Sequence, residues 1–287
     1  MHTDYPIVVG IDGSSADQTA LRWAVSEAQT RKTWLRVVHA FRKRSGPATD
    51  SSYRDVPVVD TDEFYAEKLL VKAVREVARI DPNLHVQPVA REGAAVPVFV
   101  AESARASLVV LYSRRLTSRL SALLRSTGSG TLARAACPAL AVREGSAIAD
   151  GAAAAVVGVD CTSHSEAALE FGFDYASRHN VQLRAVRCWQ PYRLSAMAPH
   201  SRMSRSDVEM ELSEMLAVWS DKFPEVSVSG KVVHDHPIAG LVAEAENSQL
   251  LVVGCRGHSA FAGSLLRSVS QGVLHHADCP VAVVPSA

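Results

Sequence analysis

LLVVGCRGHSAFAGSLLRSVSQGVLHHADCPVAVVP, residues Leu250–Pro285, alternates strand, loop, helix and strand. Leu250-Leu251-Val252-Val253 is a short apolar, partly β-branched run, as expected of a parallel-sheet strand buried on both faces. Gly254 and Gly257 follow it, and glycine lets a backbone turn sharply and a ligand approach with no Cβ in the way. Val269–His276 is predicted as helix, with Ser268 or Ser270 as its cap. Cys279-Pro280 closes that turn before a second buried strand, Val281–Val284. A glycine turn feeding a helix N-terminus attracts anions, because unpaired N–H groups and the helix dipole face outward there. The competing reading is a plain strand-to-helix connection.

The same plan occurs twice along the chain. Ile7–Ile11 reads as a first strand and Asp12-Gly13-Ser14-Ser15 as its turn. Asp17–Arg31 is predicted as helix, Trp34–Ala40 as strand and Phe41–Asp60 as a long loop. Glu63–Ile80 carries an apolar stripe of Leu69, Leu70, Ala73, Val74 and Val77 and is predicted as an amphipathic helix. Strand His85–Arg91, helix Ala95–Ala104, strand Leu108–Leu111, loop Tyr112–Arg125, helix Ser126–Ala135 and strand Ala139–Val142 complete the first half. Arg143–Ala155 has the composition of a linker. Val156-Val157-Gly158-Val159-Asp160 then repeats Val8-Val9-Gly10-Ile11-Asp12, Leu169–Trp189 matches Leu21–Phe41 without a gap, and Cys279-Pro280 repeats Cys137-Pro138. A period of about 145 residues is far longer than a solenoid repeat, so two whole domains are expected, residues 1–145 and 153–287. Strands alternating with helices give an α/β fold, two parallel sheets with helices on both faces. Ligands of such sheets sit at the carboxyl ends of the strands, at a switch point.

The segment from Gly254 through Gly257 and Ser268 to His275-His276-Ala277-Asp278-Cys279-Pro280 resembles the C-terminal signature of the universal stress protein family, in its tandem-domain, actinobacterial form. The resemblance covers nearly the whole chain, twice. It implies two tandem doubly wound five-stranded sheets of strand order 3-2-1-4-5, related to the adenine nucleotide alpha hydrolases. It also implies a stress-response regulatory protein that binds ATP, with or without Mg, or a related adenine nucleotide. In that family's ATP-binding branch the loop reads G-x2-G-x9-G-[ST]. Gly254, Gly257 and Ser268 match; Arg267 stands at the third glycine, where it either crowds the phosphates or pairs with them. By the same resemblance, Gly254, Gly257, Arg267, Ser268, Val269 and Ser270 hold the phosphates. Gly158 and Asp160 lie by the base and ribose, with Cys188 at the end of the second strand. Gly10, Asp12, Ala40 and Ser126 are their counterparts in the first half. Against this stands a turn-forming or helix-capping role for Asp12 and Asp160.

The first half has lost the glycine loop: Leu111-Tyr112-Ser113-Arg114-Arg115 stands where Val253–Gly257 stands. Its site is read as degenerate and the second half as the competent one. A protein that has lost nucleotide altogether and acts as a scaffold is the alternative. Cys255 is read as an ordinary small side chain rather than a redox sensor. His234, His236, His275 and His276 lack partners at a zinc-ligand spacing, so no metal is expected. No G-x-S-x-G elbow or GxxxxGK[ST] loop occurs, so any ATP hydrolysis is slow.

Thirty basic residues balance thirty acidic ones in 287 residues, which argues against a nucleic-acid partner. No apolar run has membrane-helix length. The five scattered cysteines and the absence of a signal-peptide plan fit a cytoplasmic protein. The apolar last strand of each half leaves a sheet edge that needs a cover. Pairing of the two inside one chain is expected, as is a protein partner, with room for two chains to form a homodimer. Phe41–Asp60 and Gln190–Ser206 are the loops a ligand would bias.

Overall fold

The computed structural model describes residues 5–43, 62–113, 127–143, 153–162, 165–189, 204–255 and 269–286. The chain divides into two compact units, Met1–Tyr112 and Ser113–Ala287. The first runs β1 (Ile7–Ile11), α1 (Asp17–Arg31), β2 (Leu35–Phe41), α2 (Asp62–Ile80), β3 (Val86–Glu92), α3 (Ala95–Ser103) and β4 (Leu108–Tyr112). Its strands are all parallel, in the order β3-β2-β1-β4. Every residue of β1 is buried, as befits a strand with helices on both faces.

The second unit holds α4 (Thr127–Leu132), β5 (Ala139–Val142), β6 (Ala155–Gly158), α5 (Glu166–His179), β7 (Leu183–Cys188), α6 (Arg205–Lys222), β8 (Val228–Val233), α7 (Pro237–Glu244), β9 (Leu250–Cys255), α8 (Val269–His276) and β10 (Val281–Pro285). Strands β8-β7-β6-β9-β10 are parallel neighbours, the predicted order. β5 pairs antiparallel with β10, Leu140 opposite Ala282. The two apolar last strands thus cover each other's backbone, and the fifth strand of the first repeat is counted with the second unit.

Local chemistry sets the element ends. Lys32 and Asn180 both end their helices in the left-handed conformation, at φ 52°. Each N–H returns to the last helical turn, which satisfies carbonyls that the helix leaves open. Ser204 caps α6 in a capping box with Asp207, so the loop expected over Gln190–Ser206 ends earlier than the composition indicates. The helix expected over Ser126–Ala135 is described from Thr127 and ends at Leu132, before Ala135.

Arg143 corrects the linker reading. Its side chain is 3% exposed and donates to the Leu274 carbonyl near the C-terminal end of α8. Composition alone places an arginine in a linker; the sheet places this one directly after β5, where its stem is covered.

One polar cluster recurs in both units. In the first, Arg36 of β2 and Arg91 of β3 bind the two oxygens of Glu102 on α3, at 3.0 and 2.8 Å. In the second, Arg184 and Lys231 approach Glu244 of α7, at 3.7 and 2.7 Å. Burial pushes the Glu102 carboxyl up, but the hydrogen bonds and charges of Arg91 and Arg36 outweigh it and hold the group below the usual carboxylate range. A depressed folded-state value means stability that is full above the unfolded value of about 4.3 and lost as pH falls through the folded one. Unfolding midpoints measured across acid pH should therefore fall less steeply in Glu102→Gln than in the parent. The variant should also be less stable at neutral pH by about 2 kcal/mol.

Candidate functional site in the second unit

The site is built from strand register. Gly158 of β6 faces Val186 of β7 on one side and Val253 of β9 on the other. Asp160, Cys188 and Cys255 each stand two residues beyond that rung. The carboxyl ends of three adjacent strands therefore bring Asp160, Cys188 and the Gly254-Cys255 pair to one level. Gly257, Arg267, Ser268 and Ser126 lie outside the described residues, as do Arg114 and Arg115.

Asp160 is exposed and organises the turn after β6. Its Oδ1 accepts from the Thr162 N–H at 3.1 Å, the Thr162 hydroxyl at 2.6 Å and the Ser165 hydroxyl at 2.6 Å. The Asp160 N–H donates to Ser165 Oγ at 2.9 Å. The turn-forming role is real, then, and it fixes where the aspartate sits. Cys161 within this turn has φ 56°, where the first unit has Gly13 at φ 88°. That conformation is natural for glycine and strained for cysteine.

Arg187, on β7 beside Cys188, is mostly buried and reaches Glu211 of α6 at 2.6 Å. It also contributes a nearby positive charge at Cys161. Burial disfavours the thiolate form of the cysteines around the crevice. Burial raises Cys188 to about 11, with Asp235 and Glu244 adding to it. Burial raises Cys255 as well, partly offset by a hydrogen bond with Ser270, and Cys161, with Arg187 pulling the other way.

Val269 is exposed at the start of α8, whereas Ser270 is buried and turned to Cys255. Gly158 is needed first for packing: a Cβ there would lie 2.9 Å from the Leu241 methyls. Gly10 is tighter, with Leu111 Cδ2 at 2.4 Å and the Phe99 ring at 2.5 Å from the same added atom. His236 accepts from the Ile238 N–H and caps α7, and His234 meets the Trp189 ring edge-on. Among the described residues no cluster of His, Cys, Asp or Glu is arranged to hold a metal, and no helix is long and apolar enough to cross a membrane.

The first unit repeats the turn with different chemistry. Asp12 Oδ1 accepts from the Ser14 N–H at 2.9 Å. The place of Ser165 is taken by Asp17, whose carboxylate accepts from the N–H groups of Asp12 and Gly13 at 3.0 and 2.8 Å. Burial raises Asp17, the two N–H bonds pull it back, and the charge of Asp12 raises it further. Arg187 is replaced by His39, which is buried against the Ile11 carbonyl at 2.9 Å. Ala40 lies within β2, opposite Arg91. Ser165, Thr162, Cys161 and Arg187 were not singled out from the sequence. The signal was available: the gapless match that pairs Leu21 with Leu169 also pairs Gly13 with Cys161, Asp17 with Ser165 and His39 with Arg187.

Comparison with known proteins agrees with this fold. The family model described as "Universal stress protein family" matches residues 5–143 and again residues 154–285. A universal stress protein of Mycobacterium tuberculosis is 35% identical over 292 residues, 96% of this chain and 95% of the relative. One from Mycolicibacterium smegmatis is 30% identical over 286 residues, 98% and 97% of the two chains. A solved universal stress protein from Archaeoglobus fulgidus superposes with a TM-score of 0.73 at 17% identity, covering 99% of this chain and 98% of that one. Two family matches end to end and relatives that align over nearly their whole length leave one conclusion: the chain belongs to the universal stress protein family, as a tandem of two family repeats.

Proposed function

We propose that the second unit binds an adenine nucleotide, with ATP the ligand to test, at the carboxyl ends of β6, β7 and β9. The protein then acts as a stress-response regulator that signals through a protein partner when the crevice is filled. The observation that carries this reading is the register of β6, β7 and β9, which brings Asp160, two residues past the end of β6, to the level of Cys188 and the Gly254-Cys255 pair. The base and ribose belong beside Cys188 and Asp160, and the phosphates toward Gly254 and the N-terminus of α8, since a residue without a Cβ permits close approach.

Electrostatics favours the second unit over the first. Asp17 sets a second carboxylate beside Asp12. At the equivalent place the second unit has the neutral hydroxyl of Ser165, and it has Arg187 where the first unit has His39. The extra carboxylate of Asp17 adds to the repulsion that an anionic ligand meets in the first unit, and Ser165 adds none in the second.

Thermal unfolding with and without ATP tests the reading. A ligand at about 100 times its Kd adds about 2.7 kcal/mol to the state that binds it. The melting temperature of the parent should rise by several degrees, that of Asp12→Ala should rise equally, and that of Gly254→Val should stay still. No shift in the parent at millimolar ATP overturns the proposal and leaves a paired-domain scaffold.

A further inference from the structure

Helices α2 and α6 occupy the same place in the two repeats, yet their outer faces carry opposite charge. On α2, Lys68, Lys72, Arg75 and Arg79 recur at helical spacing on the side opposite the buried Ala66, Leu70, Ala73 and Val77. On α6, Asp207, Glu214 and Asp221 recur every two turns on the side opposite the buried Val208, Leu212 and Leu216. All seven charged residues are exposed. Among the described residues no side-chain ion pair is formed by Lys72, Arg75, Glu214 or Asp221.

The same two helices carry most of the large apolar side chains that are exposed among the described residues. Apart from Tyr5 and Val269, every large apolar side chain exposed among the described residues belongs to them: Tyr65, Val71 and Ile80 on α2, Met210 and Val218 on α6. A groove of about 530 Å³ runs along α2, lined by Phe64, Val71, Lys68 and Lys72 and flanked by Glu67 and by Glu76, which pairs with Arg79. Apolar side chains exposed beside a charge stripe give each helix both the apolar contacts and the charge pairing that a docking surface uses.

We infer that α2 of one copy of this chain docks on α6 of a second copy, basic stripe against acidic stripe, with Val71 and Tyr65 meeting Met210 and Val218. Opposite stripes on one chain select a second copy as the occupant, because each molecule carries both halves of the complement. Like pairings, α2 on α2 or α6 on α6, are excluded by repulsion, so the contact is between unlike surfaces. One helix pair is a small contact, so the association is weak, reversible and sensitive to salt.

Sedimentation velocity on the full chain without nucleotide tests this. The parent should self-associate as its concentration rises toward about 0.5 mM, and association should weaken at least about tenfold between about 50 and about 500 mM NaCl. Lys72→Glu with Arg75→Glu should give a monomer, and so should Glu214→Lys with Asp221→Lys. Mixing those two variants should restore association, as should placing all four substitutions in one chain. Circular dichroism checks that each variant is folded. A parent that stays monomeric at low salt overturns the inference, and so does association that survives either charge reversal. Because no nucleotide is present, either result leaves the proposed ATP site untouched.

Discussion

Replacing Arg143 by alanine should lower the stability of the second unit by about 3 kcal/mol, read as a lower urea midpoint and lost hydrogen-exchange protection in α8. The guanidinium is almost wholly buried at the end of β5 and donates to the Leu274 carbonyl. Leu274 lies in the last turn of α8, where carbonyls lack helical partners and the dipole is negative. A charge-assisted hydrogen bond, a favourable helix-end charge and the packing of the arginine stem are lost together. The desolvation of the guanidinium opposes these, which keeps the net below their sum. Arg143→Met retains the stem and removes the charge, so it should recover about 1 kcal/mol of the loss. An unchanged midpoint in Arg143→Ala would return this residue to the linker.

The second large effect is steric. Gly10→Ala should cost about 3 kcal/mol, because the new methyl would sit 2.4 Å from Leu111 Cδ2 and 2.5 Å from the Phe99 ring. An aromatic ring held under a sheet has nowhere to retreat, so the strand or α3 must move. Gly158→Ala meets the end of Leu241 at 2.9 Å, and a leucine methyl can swing aside, so about 1 kcal/mol is expected. Phe99→Leu combined with Gly10→Ala should recover part of the loss, since residues in direct contact are not additive. Denaturant unfolding of the single and double variants checks this. If Gly158 instead serves the ligand directly, Gly158→Ala will weaken ATP binding while leaving stability unchanged.

Much of this was legible in the sequence because hydrophobic period and turn chemistry act locally. Asp17–Arg31 and Ala139–Val142 fall where the periodicity places them, and Val269–His276 is helix as its flanking signals indicate. The internal match that sets Leu183 on Leu35 is exact in register, since each opens its strand opposite the first residue of its neighbour. What escaped depends on contacts distant in sequence. Arg143 looks like linker until β5 is laid against β10 and α8 is packed beside it. Gly10 looks like a ligand glycine until Phe99 is placed over it. Ser165 and Asp17 look like ordinary helix-start residues, and only their hydrogen bonds show that each fixes the aspartate five residues earlier. The opposed stripes of α2 and α6 were not read either, because a solvated charged face and a binding face have the same period.

Calorimetric titration of ATP into the full chain, its Asp160→Ala variant and its Asp12→Ala variant reads out the nucleotide site itself. One site per chain is expected, weakened at least about tenfold by Asp160→Ala, a loss of about 1.4 kcal/mol, and unaffected by Asp12→Ala. Absence of binding in the parent, or a site that depends on Asp12 and ignores Asp160, would contradict it.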